Sequence, residues 1–171
     1  MDIQGVYDII HKIADGFEKN AVQCLSNHTG IVVMAIQEQI YCGQNGEGNY
    51  LSPNYDNDPY FEEKGYWYHR AKDYKAWKKA ITPPRESRML GLPPRPENVP
   101  NLFIDGTFFS EITATMRGDT LYVSPGQKNG PDIVAKYKES LLDFGDNSVD
   151  YFNRNYMMPS IEQFIKKCGY V

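Results

Sequence analysis

The sequence predicts an α+β fold: a small antiparallel sheet, with a central β-hairpin, packed by N-terminal and C-terminal helices. Three observations carry this. Val6, Ile9, Ile10, Ile13, Phe17, Ala21 and Leu25 recur three or four residues apart, the period of an amphipathic helix. Val149, Phe152, Tyr156, Met157, Ile161, Phe164, Ile165 and Cys168 repeat that pattern near the other end. Between them, Arg117-Gly118-Asp119 separates an alternating run (Phe108, Ser110, Ile112, Ala114, Met116) from a second one (Leu121, Val123), the pattern of a hairpin with one face on a core.

In chain order, Asp2 is placed to cap the first helix, and Asn27-His28-Thr29-Gly30 to end it. Ile31–Ile36 is short, apolar and β-branched, which reads as a buried strand, with a second helix running to Tyr41 as the competing assignment. Gly43, Asn45-Gly46 and Gly48 form a turn-rich stop. Residues 49–65 are polar, aromatic and interrupted by proline, so a long loop is expected, of the kind that carries function or reaches a partner. Tyr68–Ile81 fits a helix with Ala71, Tyr74, Trp77 and Ile81 as one stripe and lysines around the rest. Residues 82–100 hold six of the 11 prolines and read as an extended arm lying on the domain or on the next subunit.

Asp105-Gly106 marks a turn that needs a positive φ at Gly106. After the hairpin, Asp132–Leu142 places Ile133, Tyr137 and Leu141 on one helical face. Ser148 is positioned as the N-cap of a last helix reaching Lys167, which Pro159 should kink. With 171 residues and no repeat, a single domain over 1–171 is expected.

Three cysteines without a CxxC pair argue against a disulfide framework or a thiolate metal site, so reduced, semi-buried thiols are expected. His11, His28 and His69 show no ligand spacing, and Asp56-Asn57-Asp58 lacks the later positions of a calcium loop, leaving a polar loop with Asx turns. No phosphate-loop, dinucleotide or nucleophile-elbow motif is present, so no catalytic residue, metal or cofactor is assigned. No basic leader precedes an apolar core and no window approaches 18 apolar residues, so a soluble protein without membrane contact is expected. Arg117-Gly118-Asp119 matches an adhesion tripeptide but reads as the hairpin turn.

Net charge is −4, unevenly spread. Residues 64–95 hold nine of the 18 basic side chains against two of the 22 acidic ones, giving that segment +7 and the remainder −11. Such a dipolar chain suits docking on copies of itself or on an acidic neighbour. Tyr66, Trp67, Lys72, Lys75, Trp77, Lys78, Lys79, Arg85 and Arg88 are therefore candidate contacts to a subunit or partner. The same interleaving of rings and cations is what a single-strand binder uses, so a nucleic-acid-binding protein acting through residues 64–95 is the alternative. The 13 tyrosines fit an interface and a sheet lining equally.

The segments "IVVMAIQEQIYCGQNGEG", "YHRAKDYKAWKKAITPP" and "PNLFIDGTFFSEI", followed by a strand pair and a terminal helix, resemble the tail-completion and virion-morphogenesis proteins of tailed bacteriophages. The resemblance runs over about residues 30 to 168. It maps the family pattern onto Gln39 and Gly43, onto Lys72 or Lys75, and onto Leu102, Asp105, Gly106, Ser110 or Glu111, and Ile112. It implies a non-enzymatic ring homo-oligomer between phage head and tail. The ring would touch neighbouring head–tail or tail proteins, pass DNA without binding it specifically, and reside in the virion after assembly in the bacterial cytoplasm.

Overall fold

The computed structural model describes residues 2–170 and has the expected α+β class. Helix α1 spans Ile3–Asn27, with the Asp2 carboxylate accepting the Gly5 N–H at 2.8 Å as its cap. Only His28 separates it from α2, Thr29–Tyr41. The His28 ring bonds back to the Cys24 carbonyl at 2.8 Å, and the N–H groups of Ile31 and Val32 turn to the His28 carbonyl, so the chain bends without leaving helical geometry for long.

The strand expected over Ile31–Ile36 is therefore part of a helix. Val32, Ala35, Ile36, Gln39 and Ile40 are buried at helical spacing. α2 is the central rod, with the hairpin and the helix over Asp146–Phe152 packed on it, and burial around the rod outweighs the β preference of its branched side chains.

Helix α3 is Ala71–Ile81. A short α4, Thr107–Glu111, replaces the first half of the expected strand. Gly106 takes φ 85°, Asp105 accepts the Thr107 N–H at 2.9 Å, and Phe108, Phe109 and Ile112 turn into the core; Gln37 of α2 fixes the Phe109 carbonyl at 2.8 Å. The alternation of Phe108, Ser110 and Ile112 is thus coincidental with a single helical turn. Strands β1, Thr113–Arg117, and β2, Thr120–Ser124, pair antiparallel with Ala114 opposite Val123 and Met116 opposite Leu121. Gly118 and Asp119 form the two-residue turn. The hairpin lies on α2 and α1, while the C-terminal helix packs on α1.

Helix α5, Gly130–Tyr137, stops at Lys138, whose φ of 72° separates it from a 3-10 turn over Glu139–Leu142, so the helix expected to Leu142 is two pieces. Helix α6, Asp146–Phe152, begins after Gly145, and Ser148 lies inside it rather than capping it. A π-helical turn, Asn153–Met157, joins α6 to α7, Met158–Lys167. Pro159 has no N–H to donate, and the backbone widens in the turn immediately before it, where Met158 donates back to the Asn153 carbonyl.

The proline segment does not stand away from the body. Arg95, 3% exposed, donates to the carbonyls of Val99 at 2.7 Å and Thr82 at 2.9 Å, pinning both ends of residues 82–99. Leu90 and Leu92 join Ala35 and Cys42 in a small core of their own. Gly43, at φ 73°, sits where a Cβ would come within 2.6 Å of Val99, so the arm closes directly on the end of α2. All three cysteines are free and buried.

Candidate functional site

The loop over 49–70, α3, α5 and the segment 100–104 enclose a cavity of about 380 Å³, a size suited to a few side chains or a small ligand. Its wall is aromatic: Tyr55, Tyr60, Phe61, Trp67, Tyr74, Trp77 and Tyr137. Tyr74 is the hub, with ring centroids 5.2 Å from Tyr55, 5.3 Å from Phe61, 5.1 Å from Trp67 and 5.3 Å from Trp77. The edge-on geometry of the Tyr55, Phe61 and Trp67 contacts is the favourable arrangement for ring quadrupoles, so the wall is preformed.

Three charged groups line this wall. Asp58, whose side chain is 7% exposed, caps the 3-10 turn Pro59–Glu62 through the Tyr60 N–H at 3.0 Å and receives both bonds of the Lys136 ammonium, at 2.6 and 2.8 Å. The same ammonium lies 5.5 Å from the Tyr137 ring centre and 6.0 Å from that of Tyr60. Lys78 is 1% exposed and donates to the Phe103 carbonyl. Burial, reinforced by the Arg95 charge, holds the Lys78 amine down to about 8. Burial also pushes the phenols of Tyr55 and Tyr137 well up, and that of Tyr74 up to about 12.

Of the candidate contacts, Trp67, Trp77 and Lys78 meet in this cavity. Lys78 is enclosed there, which corrects the expectation of a solvent-facing or partner-facing lysine. Tyr66 lies outside it, 73% exposed, edge-on to Trp67 with Arg70 over its ring. The cations on the outer surface are mostly engaged at home. Lys75 meets Asp56 and Lys79 meets Glu97, each at 2.5 Å, Arg85 meets Glu38 at 2.5 Å and Arg88 meets Glu86 at 3.2 Å. Lys72 is exposed and has no ion pair among the described residues. Three of the seven excess charges are met by carboxylates that fold in from outside the segment, Asp56, Glu97 and Glu38, and its rings pack on one another, leaving fewer free cations and stacking faces for nucleic acid than the sequence shows.

The residues mapped by the phage resemblance do not form one surface. Gln39, Gly43 and Ile112 are buried in the body, Asp105 and Ser110 are exposed, Gly106 starts α4, and Leu102, at φ 53°, lines the aromatic cavity. Asp58, Tyr55, Tyr60, Phe61, Lys136 and Tyr137 are site residues that the sequence reading missed. The four aromatic residues among Asn49–Gly65 were the available signal, since a purely solvated loop has little use for them.

A second feature lies on α1. Its C-terminal half is held by α7, with Phe164 over Gly16 and the Ser160 hydroxyl 3.2 Å from Asn20. Its first turns carry Ile3, Val6, Tyr7 and Ile10 at 89%, 44%, 57% and 59% exposure, and Phe17 continues the stripe. Among the described residues, no helix is long and apolar enough to cross a membrane. Comparison with protein-family models, with curated proteins and with solved structures finds no match for this chain.

Proposed function

We propose that the chain is a structural virion protein of a tailed phage, forming a head–tail connector or tail-completion ring around the DNA channel. The observation that carries the assembly part of this reading is the outward apolar stripe of α1. Four large apolar side chains within two turns, all more than 40% exposed, are costly to leave in water and mark a surface that another protein covers. The stripe is an unsuitable lipid anchor: α1 carries Lys12 and Lys19 against Asp8, Asp15 and Glu18, whereas helices lying on membranes are rich in cations. The phage assignment rests on the sequence resemblance.

The purified full chain, measured by light scattering across concentration and imaged by negative stain, tests this. Self-association into closed rings is the expected outcome, with Ile10→Asp reducing it. A protein that stays monomeric and instead binds single-stranded DNA tightly, in a manner lost on charge reversal of Lys72 and Lys75, overturns it.

A further inference from the structure

The two-residue turn makes Arg117–Thr120 a hydrogen-bonded pair, and the alternation of an antiparallel ladder makes Thr115–Tyr122 and Thr113–Ser124 the next ones. Leu121 and Val123 lie between those pairs, so their N–H and C=O groups point away from β1. No main-chain group elsewhere in the described residues bonds to them. β2 reads Thr-Leu-Tyr-Val-Ser, good strand formers with no charge, proline or bulge, the devices by which natural proteins keep such an edge from pairing.

Beside this edge opens a cleft of about 390 Å³ with Leu121, Val123, Val134, Leu142 and Phe144 in its walls. Glu139 and Asp143 line it too, both exposed, and no Lys or Arg does. Neither carboxylate has an ion pair among the described residues, so both charges are free to meet a partner. We propose that an extended segment of a different protein adds to β2 as a third strand. Its main chain bonds to Leu121 and Val123, its alternate apolar side chains fill the cleft, and a Lys or Arg on that same face meets Glu139 or Asp143.

The free acids argue against a second copy as the added strand. β2 of another copy would present Leu121 and Val123 to the cleft, but the neighbour on that face is Asp119, and pairing edge to edge would also bring both sets of Glu139 and Asp143 to one seam. The contact is separate from the α1 stripe and does not depend on the ring reading.

The test uses the full chain and two labelled, end-blocked peptides, Lys-Thr-Val-Thr-Val-Thr-Lys and the same peptide with Glu for Lys, followed by fluorescence anisotropy. The basic peptide should bind at least ~10-fold more tightly than the acidic one, and the Glu139→Lys/Asp143→Lys double variant should reverse that order. Val123→Pro removes one outward N–H, a change an edge strand tolerates, and should weaken binding at least ~10-fold. N-methylation of the peptide, which leaves the protein untouched, should abolish binding when placed on one alternate set of amides and spare it on the other, because only one edge of the added strand faces β2. Amide hydrogen exchange over residues 120–124 should slow when the basic peptide is bound.

Binding that survives N-methylation of both sets is side-chain docking, and it overturns strand addition. Equal affinity for the two peptides, or an order unchanged in the double variant, overturns the basic partner. No binding of either peptide at millimolar concentration overturns the whole inference. Exchange over 120–124 that slows with protein concentration alone makes a second copy the occupant and overturns it as well. Each of these results leaves the ring reading where it stands, since closed rings are scored without peptide.

Discussion

The carboxamide of Gln39, deep in α2, accepts the Ser148 hydroxyl at 3.3 Å and the Gly145 N–H at 3.2 Å while donating to the Asp143 carbonyl at 3.2 Å. One buried side chain thereby ties the central helix to the start of α6. It stands in for the missing cap there, because Gly145 has no side chain to supply one. Replacing it with Leu strands a hydroxyl, an N–H and a carbonyl in the interior. Gln39→Leu is expected to cost about 2–4 kcal/mol, read from the urea midpoint, and Gln39→Glu should be destabilising as well because it brings a charge into the same enclosed place.

Lys78 gives the fold a distinctive response to alkali. Its folded value of about 8 lies below that of a free lysine. Between pH 8 and 10 the unfolded chain therefore binds a proton that the folded chain has released, and stability rises with pH by on the order of 2 kcal/mol. Above pH 10 the sign reverses: Tyr55, Tyr74 and Tyr137 keep their protons in the fold after unfolded tyrosines have lost theirs. Denaturation series at pH 7, 8.5, 9.5 and 10.5 should show a maximum between 9 and 10. In Lys78→Met the rise should vanish while the fall above 10 persists.

Much of the chain could be read from sequence because its periods are long enough to measure. α1, α3 and the β1–β2 turn follow from spacing alone, and Asp2 caps where its chemistry says it should. The misreadings share a cause. Ile31–Ile36 and Phe108–Ile112 are short apolar segments, in which a period of two and a period of 3.6 bury nearly the same residues, and tertiary packing decides between them. Ser148 has the chemistry of a cap, but a partner over a hundred positions away, Gln39, claimed its hydroxyl first. The cavity was half visible: Trp67, Trp77 and Lys78 were singled out for their types, whereas Asp58 and Lys136, 78 positions apart, pair only once the chain is folded.

Gly106 holds φ 85° at the start of α4, with a Cβ position 3.3 Å from the Phe103 ring. A β-branched side chain there meets both an unfavourable backbone region and a close ring. Gly106→Val should lower stability by about 1–3 kcal/mol, and Gly106→Asn by less, since Asn accepts the left-handed region more readily. Parallel thermal melts of the two variants decide it; equal stability for Val and the parent would refute the turn's requirement.

Arg85 and Lys79 make ion pairs of the same length but of different worth. Arg85 grips Glu38 with two nitrogens, at 2.5 and 2.9 Å, and lies 4.3 Å from the Tyr41 ring centre, whereas the Lys79–Glu97 pair is more than half exposed at both ends. Arg85→Ala should cost about 1 kcal/mol and Lys79→Ala close to nothing. The Arg85 bonds also hold the Glu38 carboxyl below the usual glutamate range. That contribution is present above the ordinary glutamate value and lost as the pH falls through the depressed one, so the Arg85→Ala penalty should shrink in acid.

The π-helical turn at Asn153–Met157 acts as a phase adjuster. An extra residue in one turn rotates everything downstream by about 100°. Phe152 and Ser148 can therefore look into the body around α2 while Phe164 looks out onto Gly16 of α1. The helical segment that ends the fold is thus two halves with differently aimed faces, and the second half packs on α1. If α1 is the part that reaches a neighbour, the residue count of this one turn helps to set the angle between successive subunits.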